Sequence, residues 1–74
     1  MDIKKIEKVF FSSLNLEKNT DLSQLEYGNN WDSIAHMKLI AQLEKKMKIA
    51  IDIDDVIDMS SYNKAIKILK KYLK

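Results

Sequence analysis

The sequence predicts an all-α protein with three main helices, one short helix and a long ordered loop between the first two helices. Only one Gly and no Pro occur among the 74 residues, so the turn residues that an all-β fold needs are nearly absent. Strong helix formers are plentiful, and apolar residues recur at steps of three and four. With 46% apolar and 32% charged residues, residues 1–74 are expected to fold as a single globular domain.

The first helix and the loop after it differ in their apolar pattern. Residues 2–14 are predicted to be helical because one face is apolar: Ile3, Ile6, Val9, Phe10 and Leu14. Residues 15–31 show no sustained period, and a loop of 17 residues is usually functional or disordered. Its spaced apolar residues favour an ordered loop packed across the helices: Leu16, Leu22, Leu25, Tyr27 and Trp31.

The second helix is expected to be the central one, with Asp32 as its N-cap. Helical spacing is kept by Ile34, Met37, Ile40, Leu43 and Met47. Residues 49–53 alternate like a strand, but an isolated strand would lack a partner, so this segment is expected to be a connector.

Two further caps predict the remaining helices. Asp54 or Asp55 is expected to cap a short third helix, and Ser60 or Ser61 a last helix that ends near Leu73. The last helix carries one apolar stripe: Tyr62, Ala65, Ile66, Leu69, Tyr72 and Leu73. Met37, Met47 and Met59 fall on apolar faces, where Met usually fills irregular gaps in a core.

Composition excludes several classes of function. The chain has no Cys, which excludes disulfides, zinc knuckles and catalysis by a protein thiol. No apolar run approaches the ~20 residues of a membrane span, and the first residues lack a signal-peptide core, so we expect a cytoplasmic protein without a membrane partner. A net charge of +2 is too small to indicate nucleic-acid binding by itself.

Ser33 is the candidate site of chemistry, because Asp32 places it in the first turn of the second helix. The free N–H groups and the positive end of the helix dipole stabilise an anion there, so a phosphodiester on this hydroxyl would be favoured. Such a modification could bring in the thiol that the chain lacks. The alternative is that Ser33 only helps to cap the helix.

The stretch WDSIAHMKLIAQLEKKMKIAI, residues 31–51, resembles the modification helix of acyl and peptidyl carrier proteins. Asp32-Ser33-Ile34 is similar to the triplet that opens this helix in the family, and Ser33 corresponds to the attachment serine. Leu43-Glu44, Asp54-Asp55-Val56 and residues 61–73 resemble later parts of the same family pattern. One departure is Met47, which stands where an aromatic residue is common.

The resemblance implies a four-helix acyl-carrier-like bundle with phosphopantetheine bound covalently to Ser33. It implies a monomer without catalysis of its own, whose partners are a phosphopantetheinyl transferase and the enzymes that load and accept acyl groups. Ile34, Met37 and the nearby surface are candidates for docking these partners. Carriers for general fatty acid synthesis are usually acidic on the second helix, whereas here Lys38, Lys45 and Lys46 outnumber Glu44. A specialised biosynthetic pathway is therefore expected, with a cargo that the sequence does not specify.

Two other kinds of chemistry do not fit the sequence. A hydrolase triad of Ser33, His36 and Asp32 lacks a Gly-rich elbow and an oxyanion loop, so His36 is expected on the exposed face and Trp31 as an apolar staple. A calcium loop starting at Asp52 would place Ile57 where a Gly is needed, so no metal site is expected.

The alternative function is a small basic helical domain that binds nucleic acid or acts as an adaptor. Lysines run along the last helix: Lys64, Lys67, Lys70, Lys71 and Lys74. The chain has no Arg, however, and this stripe is the polar face opposite the apolar one, so a solvated face and no nucleic-acid partner are expected. An adaptor would need an exposed apolar stripe, which the sequence cannot separate from core.

Overall fold

The computed structural model describes residues 2–73, and these fold into four α-helices. The helices are α1 (Ile3–Ser13), α2 (Ser33–Met47), α3 (Ile53–Asp58) and α4 (Tyr62–Tyr72), with a 3₁₀ turn at Leu22–Gln24. Within this range there are two isolated β-bridges and no strand. The predicted all-α bundle of three main helices and one short helix is confirmed. None of the described helices is long and apolar enough to cross a membrane.

Three of the four helices begin with a side-chain cap. The carboxylate of Asp2 accepts from the Lys5 N–H (3.1 Å), and the Ser61 hydroxyl oxygen accepts from the Lys64 N–H (3.1 Å). Asp32 caps α2 in the same way, as predicted. Each such bond is typically worth about 0.5–2 kcal/mol, so the helix starts are fixed locally before tertiary packing is considered.

The start of α3 differs from the sequence prediction. Asp52 is its N-cap residue and makes no side-chain cap bond. Asp54 and Asp55 lie inside the first turn, so the prediction that either caps α3 was wrong. Their carboxylates there interact favourably with the positive end of the helix dipole.

The core lies between α1, α2 and α4, with α3 covering one side. Its fully buried larger side chains are Ile6, Phe10, Leu39, Leu43, Met59 and Leu69. Phe10 makes edge-to-face contacts with Trp31 (6.3 Å between ring centroids) and Tyr62 (5.0 Å). The end of α1 therefore packs at the start of α2, which means that these two helices run antiparallel.

The loop between α1 and α2 is ordered, as predicted, because it is anchored at both the side chains and the backbone. Leu22, Leu25 and Trp31 are buried. The Tyr27 N–H donates to the Ser60 carbonyl (2.8 Å), and the Tyr62 N–H donates to the Leu25 carbonyl (3.3 Å). The loop is thereby tied to the junction between α3 and α4.

The connector after α2 contains no strand. Lys48 ends α2 in a left-handed conformation with φ of 57°, which turns the chain away from the helix axis. The Ile51 N–H then donates to the Glu44 carboxylate (2.8 Å), and the Ile51 side chain enters the core. Glu44 thus fixes the connector against α2.

Tyr72 and Asp55 join α3 to the last turn of α4. The Tyr72 hydroxyl donates to Asp55 and accepts from the Asp52 N–H (3.1 Å), while Lys71 forms an ion pair with Asp55 (2.9 Å). Hydrogen bonds from Tyr72 and, to a smaller extent, from Lys71 lower the pKa of Asp55 below its usual value. The bond to Asp55 raises the pKa of Tyr72. We call Asp55, Lys71 and Tyr72 the α3–α4 clamp.

Candidate functional site

Ser33 is the first residue of α2, and its side chain is exposed. The cap bond of this helix is made by Asp32, whose carboxylate accepts from the Ala35 N–H (2.9 Å). Within residues 2–73 the Ser33 hydroxyl has no hydrogen-bond partner. The alternative that Ser33 serves as a cap is therefore not supported, and its hydroxyl is available to a modifying enzyme.

The backbone at this helix start favours an anion attached to Ser33. The N–H groups of Ser33 and Ile34 lack an acceptor within the part of the chain that the structure describes, as is usual for the first residues of a helix. They add to the positive end of the dipole of α2, a helix of 15 residues. A phosphate ester on Ser33 would be stabilised by both groups.

A tight turn forms one wall beside Ser33. The Gly28 N–H donates to the Trp31 carbonyl (2.8 Å), and the Glu26 N–H donates to the Asn30 side-chain oxygen (2.8 Å). Gly28 has φ of +91°, a conformation that residues with a Cβ rarely adopt. The turn encloses a shallow groove of about 520 Å³ that ends at Asp32 and Ser33.

His36 is buried, and the prediction that it lies on the exposed face was wrong. Only 8% of its surface is accessible. The Trp31 indole N–H donates to Nδ1 of His36 (3.0 Å), so Nε2 carries the ring proton and donates to the Val56 carbonyl (2.7 Å). Both ring nitrogens are engaged, so His36 offers no free base to the Ser33 hydroxyl.

The burial of His36 follows from its register on α2. It lies four residues before Ile40 and seven before Leu43, both buried, and so belongs to the core stripe. This spacing is visible in the sequence. The hydrogen bond that offsets the cost of burying the ring is made to Val56, which lies 20 residues away and is not visible as a partner in the sequence. Trp31 is buried against this site, which confirms its expected role as an apolar staple.

Large apolar side chains surround Ser33 on the surface. Ile34, Met37, Ile53 and Ile57 are each between 59% and 72% exposed, and Tyr27 is 44% exposed. We call these five residues the apolar rim. Met37 was expected on an apolar face of α2 and also as a candidate for docking to enzymes. Its exposure rules out a core position, because the core stripe of α2 passes through His36, Leu39, Ile40 and Leu43. Its role in docking stays a prediction.

A cleft of about 320 Å³ separates α2 from α3 beside Ser33. His36 and Val56 are its buried residues, and the exposed residues along it are Tyr27, Ser33, Met37, Ile53 and Ile57. Ile53 and Ile57 were not singled out as site residues from the sequence. Their spacing of four places them together on one face of α3, and this was the signal that could have identified them.

The carboxylates of the third-helix region are those of Asp52, Asp54, Asp55 and Asp58. No group of three or more potential ligands is found between residues 2 and 73. Asp55 is engaged in the α3–α4 clamp. Asp52, Asp54 and Asp58 are exposed and add negative charge to this part of the surface.

Comparison with protein-family models, with curated proteins and with solved structures finds no significant match for this chain. The function must therefore be inferred from the residues and their arrangement.

Proposed function

We propose that this chain is an acyl carrier protein that holds a phosphopantetheine arm on Ser33. The observation that supports this most directly is the exposed Ser33 hydroxyl, which makes no hydrogen bond to any described residue and lies in the first turn of α2. Asp32 supplies the cap bond, so Ser33 can be esterified without loss of the helix start. When bound, the arm supplies the thiol that carries acyl groups as thioesters.

The residues at the site fit an attached phosphate. The free N–H groups of Ser33 and Ile34 point along the axis of α2 toward the place where such a group would sit. The exposed position of Ser33 leaves an approach for a phosphopantetheinyl transferase. Asp32 fixes the backbone of the modified residue through its bond to Ala35.

The apolar rim supports a role in docking to enzymes that load and accept acyl groups. Exposed apolar residues at this density around one serine are costly in water and mark interaction surfaces. Burial of a side chain such as Ile34 or Ile57 in a partner would contribute roughly 1.5–3 kcal/mol before the costs of association. The rim would then place the arm at the partner's active site.

The charges support a specialised pathway. Lys38, Lys45 and Lys46 are exposed on α2, while the acidic residues Asp54 and Asp58 are exposed on α3. A client enzyme would therefore meet a basic α2 and an acidic α3. The chain has no Cys, which is compatible with work in the reducing cytoplasm.

Mass spectrometry tests this function. Incubation with coenzyme A and a broad phosphopantetheinyl transferase should add one phosphopantetheine mass to the wild type and none to Ser33→Ala. Ser12→Ala is the matched control, because Ser12 is also an exposed helical serine. A wild type that stays unmodified by several transferases would refute the assignment.

The apolar rim also fits the second candidate, an adaptor that presents an apolar face to a partner. The adaptor would bind its partner through Ile34, Met37 and Ile57 without any modification of Ser33. The adaptor would be favoured if wild type and Ser33→Ala bind the partner with equal affinity and transferases do not modify the wild type. The nucleic-acid alternative is weaker, because Lys71 of the last-helix stripe is paired with Asp55.

A further inference from the structure

A basic groove runs along α1 beside the C-terminal end of α2. It has a volume of about 710 Å³ and is lined by four exposed lysines, Lys4, Lys5, Lys8 and Lys46. We call these four residues the lysine groove. Asp2, Val9 and Ser12 complete its lining.

The positive charge of the lysine groove is offset only in part, because its lining holds four lysines and one carboxylate. Between residues 2 and 73 the one ion pair within 4.0 Å joins Lys71 to Asp55, far along the chain from this groove. Asp2 is the only acid in the lining, and one of its carboxylate oxygens accepts the cap bond from the Lys5 N–H.

The arrangement of these lysines opposes the stability of α1. Lys4 and Lys8 are four residues apart and Lys5 and Lys8 are three apart, spacings at which like charges repel on a helix. Lys4 and Lys5 also lie in the first turn of α1, where the dipole favours acids, and this turn contains none. Lys46 adds a fourth like charge from α2. An anion bound in the groove would remove this repulsion.

We propose that the lysine groove is a docking surface for an acidic, extended segment of a partner protein. A concave groove between two helices fits an extended chain, and its carboxylates would pair with the four lysines. Val9 is the one apolar residue in the lining and is buried, so the groove offers no side chain for insertion into a membrane. No aromatic residue lines it for stacking with nucleic-acid bases, and the chain has no Arg.

The groove lies at the opposite end of α2 from Ser33. Lys46 follows Ser33 by thirteen residues along the helix, which corresponds to roughly 20 Å. A partner held there would leave Ser33 and the apolar rim uncovered. Such a contact would tether the protein near its clients and raise the effective concentration of the Ser33 end. Binding at the groove itself does not depend on modification of Ser33.

Binding of a fluorescein-labelled peptide of twelve residues, alternating Glu and Ser, tests this proposal on the unmodified protein. The double variant Lys5→Glu, Lys8→Glu should weaken binding at least tenfold. The matched control is Lys64→Glu, Lys67→Glu, which changes the net charge equally, keeps the spacing of three and alters exposed residues of another helix. This control should change the affinity less than twofold, and the amide signals of residues 4–12 and 46 should shift in nuclear magnetic resonance spectra of the wild type.

Three results would overturn the proposal. Equal losses in both double variants would show that the peptide senses only net charge. Tighter binding to vesicles containing phosphatidylserine than to neutral vesicles, with the same groove signals shifted, would assign the surface to a membrane. Tighter binding of a single-stranded oligonucleotide than of the peptide at these residues would assign it to nucleic acid. Circular dichroism of each variant verifies that the helices remain folded.

Discussion

At the scale of single residues, adjacent side chains at the start of α2 have different roles: Asp32 caps the helix, and Ser33 presents an exposed hydroxyl. Asp32 stabilises the helix start through its bond to the Ala35 N–H, and the Ser33 hydroxyl makes no hydrogen bond to any described residue. His36, three residues later, is held in the core by Trp31 and Val56. The proposed attachment point therefore lies on a backbone that its neighbours make rigid.

Asp32 can be tested by substitution, because its cap and its charge make separable contributions. Asp32→Ala should lower the free energy of unfolding by roughly 0.5–2 kcal/mol, while Asp32→Asn should retain the cap. Urea unfolding measures the first effect, and the rate of modification of Ser33 measures the second. If Asn slows modification while stability is kept, the transferase reads the charge of Asp32; equal rates would limit Asp32 to a structural role.

His36 is predicted to be important for stability although it lies beside the proposed site. His36→Leu would leave the Trp31 indole N–H and the Val56 carbonyl buried without partners, at a cost of about 1–3 kcal/mol for each group. Met37→Leu, at the exposed neighbouring position, should leave the free energy of unfolding nearly unchanged. A His36→Leu variant as stable as the wild type in urea unfolding would contradict the hydrogen-bond network described here.

At the scale of elements, α3 is the helix whose position depends most on side chains distant in sequence. It has only six residues, and its N-cap residue makes no side-chain cap bond. The α3–α4 clamp and the bond between His36 and the Val56 carbonyl hold it against α4 and α2. The width of the cleft beside Ser33 therefore depends on these contacts.

The clamp predicts how stability depends on pH. The pKa of Asp55 is lowered by its hydrogen bonds to Tyr72 and Lys71, so its contribution is present above the unfolded value of about pH 4 and is lost as the pH falls through the folded value. The pKa of Tyr72 is raised by Asp55, so its contribution is present below about pH 10 and is lost as the pH rises through the folded value.

Tyr72→Phe tests the clamp because it removes the hydroxyl that bonds to Asp55. The variant should be less stable than the wild type between about pH 5 and pH 9, and the difference should shrink toward pH 3. Tyr27→Phe is the control, since Tyr27 is an exposed tyrosine outside the clamp. Thermal unfolding measured from about pH 3 to pH 9 tests this prediction. A difference in stability between Tyr72→Phe and wild type that is constant with pH would count against the clamp.

The elements that were predictable from the sequence are those that local rules determine. The periodicity of α1, α2 and α4 and the caps at Asp32 and Ser61 need only neighbouring residues, and the structure confirms them. The cap of α3 and the burial of His36 depend on contacts between distant segments. For example, Asp55 is held by Tyr72, 17 residues further along the chain, instead of capping its own helix.

At the scale of the whole molecule, two surfaces lie at opposite ends of α2, in a fold whose Cα atoms span 28 × 23 × 18 Å. The apolar rim surrounds Ser33 at one end of α2, and the lysine groove lies at the other end. The exposed Asp54 and Asp58 give α3 a negative surface beside the rim. The net charge of +2 thus hides a separation of charge between the two ends of the molecule.

The basic residues of α2 predict which enzymes the protein serves. If generic fatty acid synthesis enzymes present basic docking surfaces, as the resemblance to acyl carriers implies, Lys38 and Lys45 should slow their encounter with this protein. Lys38→Glu, Lys45→Glu should therefore speed acyl loading by a generic malonyl transferase and slow loading by the cognate enzyme. Both effects should shrink as salt is added.

The matched control for the acyl-loading experiment is again Lys64→Glu, Lys67→Glu. It should change the loading rates of the generic and cognate enzymes less than Lys38→Glu, Lys45→Glu does. The proposal of a specialised pathway would be contradicted if the generic enzyme loads the wild type at the same rate as a standard acidic carrier. That rate would also have to stay unchanged by the substitutions and by salt. The assignment of Ser33 would remain.

The central claim is tested most directly by peptide mapping of the protein purified from the cells that make it. Tandem mass spectrometry of the peptide that contains Ser33 should find phosphopantetheine on this residue, with acylated forms that lose the acyl group on treatment with hydroxylamine. The peptides that contain Ser12, Ser23 and Ser60 should carry no such group. A Ser33 peptide that is unmodified in every growth condition, or an arm on another serine, would contradict the proposed function.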